Sequence, residues 1–536
     1  MTSQIIKTSA KKNQKDSNTF LNGIKSQYLY IVCLVVISVI TYVNILPNKL
    51  FFDDEELIYK NIYIQNFRYF PKYFTENMIA GAGKISNMYR PILLVSFAID
   101  HGIWGLNPFG YHITSIMLHT LNAVLVFLLL LYLFKNSMLS FLTSLLFTVH
   151  PIQSEAVIYA SGRTDPLYTF FSLLSLLCIL AYIKKPQLLS YGSSLIFFIL
   201  ALGSKETTII VPALMFIIIL FQIRKITIRM TLKIIFILLP FLFVSIGYIA
   251  LRLTVLNFSN TLNFYSISNI YSTNIFVRFY TFTLAFFNYL GILFFPTDLI
   301  IARTIPVVTS AFNPNVITFV ILISVLTLLS ILKKSGILLF SIAWFLISIF
   351  PVSGVIPINN IIAEHYLYLP SLSIFLIIVY SVLILLHRIQ NLVVRILIIS
   401  LGVSIINMFI FRTIIRTFDW RDPITFYTLS LKQNPNHIPM RNNLAMAYAE
   451  QGDITTAIKE YQTIISLGDI YPQPHHNLGN AYFAQQRYNE AEIEYKKALK
   501  IDPNFYFSVR ALKSLYEKTD QKTKLETLTN IYGLNL

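Results

Sequence analysis

The sequence predicts an all-α protein in two parts, a polytopic membrane region followed by a helical repeat domain. Three observations carry this. The 536 residues are 55% hydrophobic and only 12% charged, with a mean hydropathy of +0.63, whereas a soluble domain carries about 25% charged residues. Long apolar stretches recur between positions 28 and 411. Beyond Trp420 the composition turns to that of soluble helix, with a period of 34 residues.

Taken in order, residues 1–27 form a polar tail in which five lysines precede position 26 against one acid, Asp16. The apolar run Tyr28–Leu46 has no small-residue cleavage site after it, so it reads as an uncleaved anchor with the tail in the cytoplasm. The loop 47–110 then mixes Arg68, Lys72, Lys84 and Arg90 with Tyr and Phe, which suits short helices in the membrane interface. Further apolar stretches lie near 111–134, 137–149, 165–183, 188–203, 207–221, 231–251, 276–295, 315–332, 336–350, 366–386 and 393–411. Several are shorter than the roughly 20 residues of a spanning helix, which implies tilted or broken helices.

Basic residues orient these segments. Lys184 and Lys185, the group 224–233, Lys333 and Lys334, and Arg388 with Arg395 mark cytoplasmic turns by the positive-inside rule. Every Asp and Glu from Asp53 to Asp419 then falls on the other side, if 276–295 is interfacial or re-entrant rather than spanning, which gives about eleven spans. If 276–295 crosses, everything after it inverts. Ionisable groups at membrane depth are costly, so their gathering on one face points to a polar cavity there.

The stretch organising that face is Phe51–Glu56, with four consecutive acids beyond the first apolar segment. Adjacent carboxylates beside a bilayer repel one another and meet a lowered dielectric, which raises at least one toward the range of a general base. The alternative is a solvated acidic collar at the segment end. The run also suits Mg2+ or Mn2+ at Asp53 and Asp54, although the sequence requires no metal. A net charge of +17 without zinc spacing, P-loop or nucleic-acid motif indicates anionic lipid or lipid-linked phosphate partners and no nucleic acid. Cys33 and Cys178 lie in apolar runs and imply no disulfide. His112, His119 and His150 read first as hydrogen-bonded structural histidines.

In the C-terminal domain, 421–536, Asn443, Leu444, Ala447, Tyr448, Gln451, Ala457 and Tyr461 recur 34 positions later as Asn477, Leu478, Ala481, Tyr482, Gln485, Ala491 and Tyr495. This is the tetratricopeptide repeat, a helix–turn–helix unit stacking into an α-solenoid. Clear repeats lie near 438–471 and 472–505, with degenerate units on either side. Such repeats bind peptides or proteins and rarely perform chemistry.

Several stretches of the region 28–420 add up to a resemblance. They are Phe52-Asp53-Asp54, Tyr89-Arg90-Pro91, Gly105 to His112, His150 to Val157, Gly162-Arg163-Thr164-Asp165, Ser204-Lys205-Glu206 and Glu364 to Pro370. Followed by tetratricopeptide repeats, they resemble the transmembrane and tetratricopeptide-repeat O-mannosyltransferases, members of the GT-C glycosyltransferases. The chain departs from the animal members in a short 253–275 segment and a short repeat array, and its Ile/Lys/Asn-rich composition suggests a bacterial relative.

The resemblance implies a GT-C-like membrane domain and inverting transfer of a hexose, mannose-like, from a polyprenyl-phosphate donor to Ser/Thr hydroxyls on the extracytoplasmic face. Asp53 or Asp54 would be the base, and Arg90, Arg163 and Lys205 would hold the donor phosphate. Glu155, Asp165, Glu206, Glu364 and His365 would line the polar cavity. The repeats would bind the acceptor protein outside a bacterial inner membrane, or on the lumenal side of the endoplasmic reticulum in a eukaryote. Competing readings are ion pairs between Glu155 and Arg163 or between Lys205 and Glu206, an oligosaccharide transferase using a lipid diphosphate, a non-enzymatic membrane scaffold and a transporter. A scaffold has no reason to gather acids and cations on one face. A transporter would show paired repeats or mid-helix charges, which the sequence lacks.

Overall fold

The computed structural model describes residues 27–223, 227–258, 269–301, 303–355, 360–468 and 470–532, so most of the basic tail 1–27, part of the basic group 224–233 and part of the 253–275 segment lie outside the described residues. The chain divides into two compact units, one up to Phe418 and one from Asp419 onward. Among the described residues both are helical, with no strand.

In the first unit α1 is Gln27–Ile45, followed by α2 Pro91–Trp104, α3 Pro108–Phe134, α4 Ser137–Val149, α5 Ser154–Ile158, α6 Thr164–Lys184, α7 Leu188–Leu202, α8 Val211–Gln222, α9 Ile228–Leu253, α10 Ile270–Thr273, α11 Ile275–Phe294, α12 Pro314–Leu332, α13 Gly336–Ile349, α14 Ser371–Arg388 and α15 Leu392–Asp419. Eight of these, namely α1, α9, α11, α12, α14, α15 and the runs containing α3 and α6, are long and apolar enough to cross a membrane. Pro begins α2, α3 and α12, where its missing N–H costs nothing, and Asn107, Asn136, Asn274 and Asn313 cap the helices that follow them.

Helices α3, α6, α7, α8, α9, α13 and α14 share one apolar core, including Leu130, Leu176, Met215, Phe241, Trp344 and Leu376. A second cluster, with Leu57, Ile58, Tyr73, Leu93, Phe97 and Tyr111, lies between α2, α3 and the loop after α1. The apolar stretches expected from sequence match the helices closely except at two places. α14 begins at Ser371 rather than near 366, because Glu364–Leu367 form a separate 3-10 turn. α15 continues to Asp419, so the expected linker 412–420 is largely helix.

The ends of the helices can be sorted by contact. Gln153, which follows α4, donates to Ser371 at the start of α14 (3.0 Å). Trp344 of α13 donates to Leu369 O (3.3 Å). The ends of α4 and α13 thus meet the start of α14. Arg278, near the start of α11, donates to Val355 O (3.4 Å) just past α13, and His150 at the end of α4 contacts Leu293 O (3.0 Å) near the end of α11. Both ends of α11 therefore contact segments at that one end of the bundle. The end of α15 meets it too, since Thr413 donates to Val149 O and Asn48 donates to Thr417 O, each at 2.9 Å. Lys184, Lys333 and Arg388 lie at the opposite, C-terminal ends of α6, α12 and α14.

The second unit contains α16 Pro423–Gln433, α17 Ile438–Glu450, α18 Ile454–Leu467, α19 Pro472–Ala484, α20 Tyr488–Ile501, α21 Tyr506–Lys518 and α22 Lys522–Tyr532. Ala457 and Ala491 are fully buried between paired helices, and a Cβ on Gly479 would stand 2.5 Å from the Tyr495 ring. The turn inside each pair uses one left-handed residue, Gly452 (φ +87°), Gln486 (φ +61°) and Asp520 (φ +51°), spaced 34 apart. The C-terminal flanking segment thus forms a third helix pair with the same turn. Interhelical partners follow the same spacing: half-buried Arg441 with Glu460, buried His475 with Glu494, and apolar Val509 and Leu528 in the third pair.

Candidate active site

The four acids Asp53–Glu56 enter three different environments. Phe52 holds a left-handed backbone (φ +64°), costly for a bulky side chain, and its ring meets Tyr159 at 5.9 Å between centroids. Immediately after it the Asp53 N–H donates to Tyr159 Oη (3.1 Å) and the Tyr159 hydroxyl also engages the Asp53 carboxylate, although the residue as a whole is exposed. Asp54 turns inward and is only 3% exposed; its Oδ1 accepts from the Ser161 N–H (2.7 Å) and from the Ser161 hydroxyl. Glu55 and Glu56 are engaged by exposed lysines, Lys60 with both (3.0 and 3.2 Å) and Lys84 with Glu56 (2.9 Å). The solvated collar therefore describes the second half of the run only.

Burial pushes the Asp54 carboxyl up to about 7 against the two Ser161 hydrogen bonds. Asp53 is open to solvent at its surface, yet the protein atoms crowding it desolvate its carboxyl and raise it, with Tyr159 and the charges of Arg90 and His365 acting in the opposite direction. These contributions place Arg90 and His365 within electrostatic reach of Asp53.

The Ser161–Asp165 stretch is the hub of the site. Ser161 anchors Asp54, and Gly162 packs so closely that a Cβ would stand 2.9 Å from Glu155 O. Arg163 is fully buried; it pairs with Asp100 (2.6 Å), donates to Tyr111 O (2.7 Å) and stacks over Phe97 (4.8 Å). Its donors also point at Ser96 and Ser115. Arg163 is thus a strut joining α2, α3 and α6, with no surface open to a phosphate. Asp165 receives both contacts of Lys205 Nζ (2.7 and 2.8 Å), and Lys205 is 5% exposed.

The pairings weighed from sequence are therefore replaced. Lys205 has extended backbone (φ −158°, ψ 135°), which sends the neighbouring Glu206 side chain to another face. Glu206 pairs instead with Arg90 (3.2 Å), whose side chain retains partial exposure. Glu155 takes His365, through its ring Nδ1 (2.7 Å) and its N–H (3.2 Å), rather than Arg163. Burial raises the Glu155 carboxyl, but His365 and Arg416 outweigh it and hold it below the usual range. Glu364 is buried; its Oε1 accepts from the Ile300 N–H, and desolvation pushes it up to about 7 against the charge of Arg416.

Asp53, Arg90, Glu206 and His365 thus share one electrostatic neighbourhood, and Tyr366 lies within reach of Asp165, Glu155, Arg90 and Glu206. Sequence reasoning passed over Tyr159, Ser161, Tyr366, Arg416 and the partnership of Asp100. Ser161 adjoins a stretch that had been singled out and Tyr366 lies inside one, so proximity was the available signal. The histidines are structural: His112 contacts Asn48 O (3.1 Å), His119 joins Tyr368 Oη (2.8 Å) to Thr148 O (3.0 Å), and His150 accepts from the Ile152 N–H (3.1 Å) while meeting Leu293 O. Among the described residues no cluster of three or more His, Cys, Asp or Glu has the arrangement of a metal site.

Comparison with known proteins agrees with this architecture. A tetratricopeptide repeat family matches residues 472–505, and a TPR repeat family matches 445–486. Protein O-mannosyl-transferase F38B6.6 of Caenorhabditis elegans is 25% identical over 461 residues, covering 83% of this chain and 63% of that protein. Protein O-mannosyl-transferase TMTC3 of Homo sapiens is 26% identical over 467 residues, 77% of this chain and 48% of the relative. Protein O-mannosyl-transferase TMTC2 of Homo sapiens is 38% identical over 105 residues, 20% of this chain and 12% of the relative. The chain thus spans less than two thirds of these relatives' length. Matches of more than 460 residues extend well beyond the repeats into the helical membrane-type region. The homologues of this chain, across both of its parts, are protein O-mannosyl-transferases.

Proposed function

We propose that the chain is a membrane glycosyltransferase that moves a mannose-like hexose from a polyprenyl-phosphate donor to Ser/Thr hydroxyls of a protein on the extracytoplasmic side. The observation that carries this is the division within the acid pair. Asp53 is exposed and lies near Arg90 and His365, whereas Asp54 is buried against Ser161. Asp53 is then the base: it takes the proton of the acceptor hydroxyl as that oxygen attacks the anomeric carbon, and the bond from that carbon to the phosphate oxygen breaks with inversion. Attack from the face opposite the phosphate requires base and phosphate site on opposite sides of the sugar.

Arg90 is the cation we assign to the departing lipid phosphate, because its side chain keeps 12% exposure where Arg163 has none, and its partner Glu206 is 45% exposed. Lys205 contributes charge from behind through Asp165, and Arg163 holds the scaffold. Asp54, Glu155 and Glu364 support the cavity. Asp53 with Asp54 would be the place for a divalent ion if one is used, but Asp54 already spends one oxygen on Ser161, which leaves a poor ligand set.

The repeats are assigned to the same side as Asp53, where they would present the acceptor. Support comes from the end of α15, where Thr417 meets Asn48, five residues before Asp53. The contacts at both ends of α11 favour a re-entrant helix, which preserves that orientation. A bacterial inner membrane, or the endoplasmic reticulum in a eukaryote, is the setting this topology suits.

The test is transfer of labelled mannose from polyprenyl-phosphate mannose to endogenous protein by membranes containing the full chain. Label released by β-elimination from Ser/Thr is expected. Transfer only from a lipid-diphosphate oligosaccharide would replace this reading with the oligosaccharide-transferase alternative, and label equal to that of membranes lacking the chain would favour a scaffold.

A further inference from the structure

At the end of the bundle away from the acids, a cavity of about 440 Å³ opens between the ends of α3, α4, α13 and α14. Its walls are Phe134, Leu139, Ile337, Tyr380, Leu383 and Ile384, and its polar edge is Asn136, His387 and Arg388. His387 and Arg388 are exposed and, among the described residues, their side chains form no hydrogen bond or ion pair. Ile337 is the second residue of α13, a 14-residue helix whose N-cap Ser335 makes no side-chain capping bond. Ile337 thus brings the start of α13, where backbone N–H groups lack intrahelical partners, to the cavity wall. Two cationic or protonatable side chains and an uncapped helix start converge on one rim, while the rest of the lining is apolar.

We propose that this cavity binds an anionic phospholipid of the leaflet at the basic end of the bundle. The phosphate sits against Arg388, His387 and the start of α13, and the first part of an acyl chain lies along Phe134, Leu139, Tyr380 and Leu383. Charge complementarity selects the headgroup, and the apolar walls select a lipid over free phosphate. The α3 helix places the site far from Asp53: it runs about 33 Å from His112, near Arg163, to Phe134. The lipid is thus distinct from the sugar donor, and its binding does not depend on the proposed transferase reaction.

The test uses the full chain in vesicles of phosphatidylcholine and phosphatidylglycerol, with photoactivatable forms of either lipid as probes and the labelled peptides identified. The phosphatidylglycerol probe is expected to label the end of α3, the start of α13 and the end of α14 preferentially. Arg388→Gln should reduce that labelling about fivefold, and adding His387→Gln should reduce it further, whereas Lys184→Gln with Lys185→Gln leaves it unchanged. A thermal melt of each variant confirms that it is folded. Equal labelling by the two probes overturns the proposal, as does an equal loss in the Lys184/Lys185 variant, which would mean diffuse surface charge. Competition by millimolar inorganic phosphate that abolishes labelling would also overturn it, in favour of a simple anion site.

Discussion

In the repeat unit two ionic pairs stand 19 residues apart on paired helices, Arg441 with Glu460 and His475 with Glu494, and the second repeats the first 34 residues later, beside local pairs and one longer link from Lys524 to Glu492. In the membrane unit the partners stand 40, 116 and 210 residues apart, as Lys205 with Asp165, Arg90 with Glu206 and His365 with Glu155, and none recurs. The repeat pairs are variable joints: the third pair of helices fills the same place with Val509 and Leu528. The membrane pairs are individual connections between distant segments.

The largest expected effect that would break this comparison is at Arg163. Removing one partner of a fully buried pair leaves an uncompensated charge, so Arg163→Met should destabilise the membrane unit by about 3–5 kcal/mol. The double variant with Asp100→Leu should recover most of that loss in a thermal melt. A melt unchanged by Arg163→Met would return Arg163 to the donor-binding candidates. Arg90→Gln should behave differently. Its side chain is 12% and that of its partner Glu206 45% exposed, so stability should change by only about 1 kcal/mol, while affinity for polyprenyl-phosphate mannose should drop about tenfold.

Smaller effects belong to the repeats. Glu494→Gln should cost about 1 kcal/mol at neutral pH, discounted for its partial exposure. Burial raises the Glu494 carboxyl, but His475 and Lys497 hold it below the usual glutamate range. A depressed carboxylate stabilises the fold above its unfolded pKa, and that contribution is lost as pH falls through the folded value. The gap between wild type and Glu494→Gln should therefore close in acid, and a constant gap would sink this assignment. Gln486→Gly should stabilise the unit by about 0.5–1 kcal/mol, since glycine removes the left-handed cost that Gly452 already avoids.

The same contrast explains what could be read from the sequence. Stacking repeats impose a fixed spacing on small and aromatic residues, so Ala457 and Ala491 were visible as a period before any fold was known. The third pair was less legible, because only Leu512 and Tyr516 of the seven recurring side chains, together with the turn position at Asp520, keep the pattern. In the membrane unit hydropathy located the helices to within a few residues, but α14 starts late because Glu364 and His365 occupy their own turn. Candidate site residues could be named from their types and neighbourhoods. Their partners could not, because Lys205 and Glu206 are adjacent in sequence yet face different neighbours, and Arg163 finds Asp100 on another helix. The proposed choice of Asp53 over Asp54 depends on the left-handed turn at Phe52 and on the contact of Asp54 with Ser161, 107 residues away, which the sequence does not display.

The central claim is that Asp53 does the chemistry while Asp54 holds the loop, and single-turnover transfer from polyprenyl-phosphate mannose by Asp53→Asn and Asp54→Asn tests it most directly. Asn at 54 can still accept both Ser161 hydrogen bonds, and Asn at 53 changes an exposed group, so both variants should melt close to wild type. Asp53→Asn should lose about 10²- to 10⁴-fold in rate, with Asp54→Asn losing far less. Wild-type turnover in Asp53→Asn, or the larger loss in Asp54→Asn, would contradict the account.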